Sequence, residues 1–327
     1  MAEGGRHIYE TEDDGARPLG PFVDPIVTAS GERRASVKFA ALQTLWINTG
    51  TLCNLACKTC YIESSPTNDA LVYPSLDEIA PFLHEAKEMG AREIGFTGGE
   101  PFLNPHAPDL IETALDLGFD VLVLTNAMRP MTRPHVAERL LTAKARHGDR
   151  LVLRVSLDGS NARDHDAERG DGAFQAALDG LKWLTAQGFR TAIAGRLLTD
   201  EDEAATRDGF ARLFAREGLP FDAASAADLV VFPQMDANAA TPEITDACWR
   251  ILGKRPEDVM CASSRMVVKR KGAAAPSVLA CTLIADDPAF ELGATLEDAT
   301  RAPVPLNHPH CSRFCVLGGA SCSGGDG

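Results

Sequence analysis

Three cysteines stand close together near the start of the chain. Cys53, Cys57 and Cys60 form a C-x3-C-x2-C triplet within Thr51–Tyr61. Three thiolates on one short loop can hold three irons of a [4Fe–4S] cluster and leave the fourth iron open to a small-molecule ligand. Structural zinc is the other chemistry such cysteines serve. Zinc knuckles usually add a second ligand pair, and this triplet has no fourth Cys or His nearby; His84 lies about one helix away and reads as a surface residue. The remaining six of the nine cysteines fall between residues 241 and 327. There Cys261, Cys281, Cys311, Cys315 and Cys322 are candidate metal ligands. Cys248 sits next to an apolar helical stretch and is set aside. His308 and His310 precede Cys311 and keep a mixed Cys/His zinc site open for this second group.

Other groups with chemical potential follow the triplet at the ends of apolar runs. Gly98-Gly99-Glu100-Pro101 comes directly after Glu93–Thr97. Without Cβ atoms, a glycine pair lets another group approach the backbone closely. Asn126, Ser156 and Arg196 end or nearly end three further runs, and Asp158, Asp164, His165 and Arg169 lie after the fourth. A planar guanidinium such as that of Arg196 can grip both oxygens of a carboxylate. Its bland alternative is an ion pair with Asp200 or Glu201, just as the residues after the fourth run could form a solvated loop.

The elements that must position these groups are legible in the hydrophobic pattern. Residues 45–48, 93–97, 120–125, 151–157, 190–197 and 229–233 read as strands. Several are almost continuously apolar, as befits parallel strands buried on both faces. Helical patterns separate them. Leu76, Ile79, Ala80 and Leu83 recur on one face, with Ser75 and Glu78 forming a capping box and Gly90 at the stop. Further helices end at Gly118, Gly188 and Gly218. This alternation predicts a parallel α/β sheet or barrel, with too few units to close an eight-fold barrel. Functional groups then belong at strand C-termini, where the triplet and the glycine pair lie. Residues 1–40 read as an irregular leader, 41–240 as the α/β core, and 241–327 as a small cysteine-rich region that bound metal could help hold together.

Composition narrows the function. The chain has 327 residues, a formal charge of −14, 45% hydrophobic and 24% charged residues. It is ordinary globular material with ample length for a core. The acidic balance argues against nucleic acid or anionic membrane as partner. No apolar stretch is long enough to span a membrane, and the polar first residues do not read as a signal peptide. A cytoplasmic setting is therefore expected, where cysteines serve metals or chemistry more often than disulfides.

The triplet, followed about forty residues later by GGEP at the end of the next strand, resembles the radical S-adenosylmethionine (radical SAM) superfamily over roughly residues 44–234. The resemblance implies a partial (β/α)6 barrel. It implies a [4Fe–4S] cluster on Cys53, Cys57 and Cys60 whose open iron chelates the amine and carboxylate of SAM. Gly98, Gly99, Glu100 and Pro101 are then expected around the methionine moiety, with Asn126, Ser156 and Arg196 as further SAM contacts. Many members carry an aromatic residue just before the third cysteine; this chain has Thr59, with Tyr61 after the cysteine instead. The implied activity is reductive cleavage of SAM to a 5′-deoxyadenosyl radical. That radical takes hydrogen from a small-molecule or peptide substrate, and an external one-electron donor such as a flavodoxin or ferredoxin supplies the electron.

The C-terminal cysteines resemble SPASM or twitch extensions, which hold auxiliary iron–sulfur clusters, although their internal spacings differ from the standard ones. With Cys248 set aside, five thiols remain. They suffice for one auxiliary [4Fe–4S] cluster, on Cys261, Cys281, Cys315 and Cys322, with Cys311 as spare or substitute. Two other readings stay open: a non-enzymatic iron–sulfur or zinc scaffold, and a degenerate fold that binds SAM without cleaving it.

Overall fold

A computed structural model describes residues 20–198, 202–233 and 240–319. In chain order the elements are β1 (Ser36–Val37), β2 (Thr44–Asn48), α1 (Leu76–Glu88), β3 (Glu93–Thr97), α2 (Ala107–Asp116), β4 (Asp120–Thr125), α3 (Arg129–Thr132), α4 (Pro134–His147) and β5 (Leu151–Ser156). They continue with α5 (Ala162–Arg169), α6 (Ala173–Ala186), β6 (Arg190–Arg196), α7 (Glu203–Glu217), β7 (Leu229–Phe232), α8 (Asp246–Leu252), β8 (Ser264–Val268), β9 (Ser277–Leu279), β10 (Glu291–Gly293) and β11 (Val304–Pro305). The six strands expected from the apolar runs form within one residue at either end.

β2 to β7 lie side by side in chain order, all parallel, with helices between them. This is the parallel α/β sheet that the rhythm predicts, with β7 at one edge; among the described residues it does not close into a barrel. Leu45 and Ile47 of β2 face the helix layer, where they join Ile79 and Leu83 of α1. Trp46 faces the opposite side with Leu122 and Met266. Gly95 makes room for it, since a Cβ there would stand 2.4 Å from the Trp46 ring. The capping box at α1 is formed, with Ser75 N donating to Glu78 Oε2 at 2.9 Å.

The cysteine-rich segment extends this sheet. β8 pairs in parallel with β2, and β9 and β10 follow antiparallel, giving one sheet in the order β10-β9-β8-β2-β3-β4-β5-β6-β7. The part of the leader from residue 20 onward packs against the same segment. β1 pairs with β11, and the buried Arg34 binds Glu243 at 2.5 Å and the Leu306 carbonyl at 3.2 Å. α5 replaces the loop considered after β5. Its one fully buried side chain is His165, whose Nδ1 accepts from the Asp158 N–H at 3.1 Å, while Arg169 at its end turns back to Asp158. Among the described residues no helix is long and apolar enough to cross a membrane.

Candidate functional site

The strand ends of β3, β4, β5 and β6 and the loop after β2 surround one cavity of about 1000 Å³, including the open space at its mouth. Cys53, Cys57 and Cys60 all line it. Their loop is tied down from several sides. Cys53 N donates to Ser65 O at 3.0 Å, Thr51 N to Leu71 O at 3.0 Å and Lys58 N to Glu168 O at 2.9 Å.

The glycine pair explains how the loop reaches the sheet. Gly99 N donates to Gly50 O at 2.8 Å and Glu100 N to Leu52 O at 3.2 Å. A Cβ on Gly99 would lie 2.2 Å from the Leu52 carbonyl oxygen, and one on Gly98, at φ +144°, would lie 2.6 Å from Gly50 O. The close approach these glycines permit is thus made by the chain's own cysteine loop, while both residues still border the cavity.

Glu100 and Pro101 are not among the residues lining the cavity. Glu100 is fully enclosed and its carboxylate turns to β4. It accepts from Thr125 Oγ1 at 2.9 and 3.1 Å, Asn126 N at 2.9 Å and Phe102 N at 3.2 Å. Burial raises its pKa to about 7 despite these donors. Its place is behind the wall, locking β3 to β4. Pro101 is buried at the head of the short turn that follows.

Asn126, Ser156 and Arg196 do line the cavity. Asn126 Nδ2 donates to Asn54 Oδ1 at 2.9 Å and lies 4.0 Å from Cys53 Sγ, so it braces the cysteine loop. Arg196 points across to β5 and the loop, with Nε 3.7 Å from Asp158 Oδ1 and Nη1 donating to Thr59 Oγ1. Asp200 and Glu201, its alternative partners from sequence, lie outside the described residues. Thr59 in turn donates to Glu168 Oε2 at 2.9 Å. The position before the third cysteine is therefore a polar link between the cysteine loop, α5 and β6.

Asp158 and Arg169 complete the polar wall, a pairing that sequence position alone does not reveal. Arg169 grips both carboxylate oxygens of Asp158, at 2.7 and 3.0 Å. Burial alone would raise the Asp158 pKa, but the Arg169 and Arg196 charges overcome it and hold the carboxyl well below the usual carboxylate range. Burial lowers the His165 pKa to about 4, so that ring is neutral. The one readable signal was an acidic and a basic residue placed after a strand end and eleven positions apart, where a helix could fold one onto the other. The apolar wall, from Tyr61, Leu124, Phe232, Leu283 and Phe314, had no signal of its own. Phe232 of β7 meets Phe314 of the C-terminal segment, ring centroids 5.3 Å apart.

A second, smaller cavity of about 330 Å³ lies beside the first, and Leu283 borders both. Cys261, Cys281, Cys311 and Cys315 all line it, among apolar side chains such as Met260, Ile284, Phe290 and Leu306. Cys311 is thus placed with the other three rather than apart from them, on a π-helical stretch, Cys311–Leu317, that also carries Cys315. Cys322 lies outside the described residues. His310 is buried and borders this cavity, while Cys248 borders neither.

The donor sets suit iron–sulfur clusters. None of the seven cavity cysteines is tied up in a disulfide. Burial pushes Cys53 and Cys311 up to about 12 and Cys261 to about 11, and raises Cys57, so a bound cationic centre is what would bring them to thiolates. Backbone N–H groups already point at sulfur, Leu55 N to Cys53 Sγ at 3.4 Å, Ser64 N to Cys60 Sγ at 3.3 Å and Leu283 N to Cys281 Sγ at 3.3 Å. Among the described residues no three His, Cys, Asp or Glu side chains converge as a single metal ion requires.

A parallel sheet with a three-cysteine loop at its first strand end defines a class. Residues 47–208 match the Radical SAM superfamily, and the chain belongs to that superfamily, with a SPASM/twitch-like region behind the core. Among curated relatives it is similar to the mycofactocin maturase MftC of Mycobacterium tuberculosis, 31% identical over 166 residues, which are 51% of this chain and 40% of the relative. It is also similar to the subtilosin biosynthesis protein AlbA of Bacillus subtilis, 32% identical over 143 residues, 43% of this chain and 30% of AlbA. The chain thus matches less than half the length of these relatives. Its fold is similar to that of Streptococcus suis SuiB bound to S-adenosylmethionine, with TM-score 0.57, 14% identity and coverage of 78% and 63% of the two chains. The likeness to anSMEcpe with bound AdoMet has TM-score 0.56, 14% identity and 80% coverage of each chain. Both reach beyond the segment 47–208, into the cysteine-rich part.

Proposed function

We propose that this protein is an iron–sulfur enzyme that cleaves SAM reductively and directs the resulting radical at a substrate held under the C-terminal segment. The observation that carries this reading is the convergence of Cys53, Cys57 and Cys60 on one cavity whose remaining polar wall is Asn126, Ser156, Asp158, Arg169 and Arg196. When bound, a [4Fe–4S] cluster there supplies the electron that splits SAM into methionine and a 5′-deoxyadenosyl radical, which abstracts hydrogen from substrate.

The chain's own residues bind, orient and exclude water. Cys53, Cys57 and Cys60 would hold three irons. Asp158 neutralises one of the two guanidiniums beside it, which leaves about one positive charge on this wall for the carboxylate of SAM. Ser156 and Asn126 offer further polar contacts at the same strand ends. Phe232, Leu283 and Phe314 close the cavity on the apolar side, keeping water from a reactive radical. An external one-electron donor, a flavodoxin or ferredoxin, is the reductant proposed.

We further assign an auxiliary [4Fe–4S] cluster to Cys261, Cys281, Cys311 and Cys315, which line the second cavity. Its sharing of Leu283 with the first cavity would put it at the substrate's back. The substrate is a peptide or a small molecule. SuiB was crystallised with a precursor peptide, and the curated relatives include an AdoMet-dependent heme synthase as well as maturases.

The test is anaerobic reconstitution, iron and sulfide analysis, then dithionite and SAM with assay of 5′-deoxyadenosine. About eight irons per chain with deoxyadenosine formed supports both centres. About four irons with product keeps the enzyme and removes the auxiliary cluster. A fully loaded protein that neither binds nor cleaves SAM overturns the reading in favour of a non-enzymatic scaffold; binding without cleavage would indicate a degenerate member.

A further inference from the structure

β8 carries a buried cation with no carboxylate partner among the described residues. Arg265 is 1% exposed. Its Nε donates to Ala299 O at 2.8 Å, and its Nη1 donates to Cys261 O at 2.6 Å and Ser264 O at 2.7 Å. Nη2 is buried without an acceptor. The guanidinium lies over the Phe39 ring, 4.5 Å from its centroid. Two other enclosed arginines are handled differently: Arg34 pairs with Glu243 and Arg169 with Asp158. Carbonyl dipoles and a ring face are weak compensation for a full charge taken out of water, and buried ions are as a rule paired. The Nη1 bond to the Cys261 carbonyl sets the guanidinium directly behind Cys261, whose thiol lines the second cavity with those of Cys281, Cys311 and Cys315.

Those thiols supply the missing anion once they hold iron. A [4Fe–4S] centre on four thiolates keeps net negative charge in both of its common oxidation states, and gains one further negative charge on reduction. We propose that Arg265 is the built-in counter-charge of the second iron–sulfur centre, stabilising its reduced form and setting its potential. This rests on the assignment of a cluster to Cys261, Cys281, Cys311 and Cys315. A nearby fixed positive charge favours the more negative redox state, and net charge and burial are established levers on cluster potential. The same guanidinium holds the Cys261 carbonyl and so also fixes the turn that presents this thiol. The two roles separate by experiment, because a purely mechanical clamp would leave the potential of a fully loaded cluster unchanged.

The full chain is reconstituted anaerobically as wild type, Arg265→Lys and Arg265→Met, and iron content is measured. Both centres are then titrated by electron paramagnetic resonance against redox mediators. Arg265→Met is expected to change the oxidised-to-reduced ratio of the C-terminal centre at least tenfold at fixed potential, about 59 mV downward for a one-electron couple. Arg265→Lys should retain most of the potential, and the centre at Cys53, Cys57 and Cys60 should not move. A C-terminal potential within threefold of wild type in a fully loaded Arg265→Met protein overturns the proposal and leaves a clamp.

If Arg265→Met does not load, thermal unfolding in a Cys261→Ser/Cys281→Ser background decides. There, removing a charge that has lost its anion should raise the melting temperature, and a lowered one overturns the proposal. Wild type that binds only about four irons refutes the second cluster itself, a failure distinct from an unmoved potential.

Discussion

Replacing Asp158 by Asn tests the electrostatic wall of the cavity directly. The substitution keeps the shape of the side chain and removes its charge. Asp158 is 3% exposed, and Arg169 binds it at 2.7 and 3.0 Å with Arg196 at 3.7 Å. Two guanidiniums would then remain in a nearly enclosed space without an anion. Breaking a buried pair from one side costs about 3–5 kcal/mol, chiefly as the penalty of the stranded charge. Guanidinium unfolding of the anaerobic protein, followed by the fluorescence of the buried Trp46, should therefore show a loss of this size. The double variant Asp158→Leu/Arg169→Met removes both charges and should recover much of it.

The pH dependence has a definite sign. The folded-state pKa of Asp158 is lowered, so its stabilisation is present above the ordinary carboxylate pKa of about 4 and is lost as pH falls through the lowered value. The Asn variant should lack that acid limb. A single-variant cost under about 1 kcal/mol, or a double variant as unstable as the single one, would refute the charge argument and leave only packing.

Cys53→Ala, Cys57→Ala or Cys60→Ala should each abolish deoxyadenosine formation and lower iron by about four per chain; full retention of cleavage would sink the cluster assignment. Gly99→Ala puts a Cβ 2.2 Å from the Leu52 carbonyl oxygen, so it should displace the cysteine loop and cut iron at the first site while sparing the C-terminal site. Equal iron loss at both would point to general unfolding. Glu100 has a folded pKa raised to about 7, so its protonated form stabilises the fold at low pH, and that contribution declines as pH rises through about 7. The full effect is about 3 kcal/mol, and Glu100→Gln should flatten the unfolding free energy between pH 5 and 8; an unchanged profile would mean that the four hydrogen bonds keep Glu100 ionised.

The core of this protein is written locally. Each βα unit carries its own apolar run and stop, and some, such as the first, a cap as well. Ser75 with Glu78 and the positive-φ glycines at 90, 118, 188 and 218 mark helix ends at those positions. The cysteine triplet and the glycine pair lie within such units, so their order and spacing could be read directly, as could the class of chemistry. Periodicity says which face of an element is buried, and strand ends say where a site can form.

Long-range placement is another matter. Nothing in the run Ser264–Val268 says that it pairs with β2 rather than forming a separate layer; that choice depends on which edge of the finished sheet is free. The glycine pair was legible as a close-approach site, but only the packing shows that Gly50 and Leu52 of the cysteine loop are what approaches. Whether Glu100 faces ligand or β4 depends on where the Thr125 and Asn126 donors fall, at and just past the end of a strand that begins twenty residues later. Asp158 and Arg169 could each have been a solvated surface charge until α5 folded one onto the other. Cys311 shows the same limit, because counting thiols left it as spare or substitute, and only the packed π-helical stretch shows that it lines one cavity with Cys261, Cys281 and Cys315. Sequence determines the local elements and the inventory of reactive groups; which of those groups meet is decided by contacts between distant segments, whose energies exist only once the chain is packed.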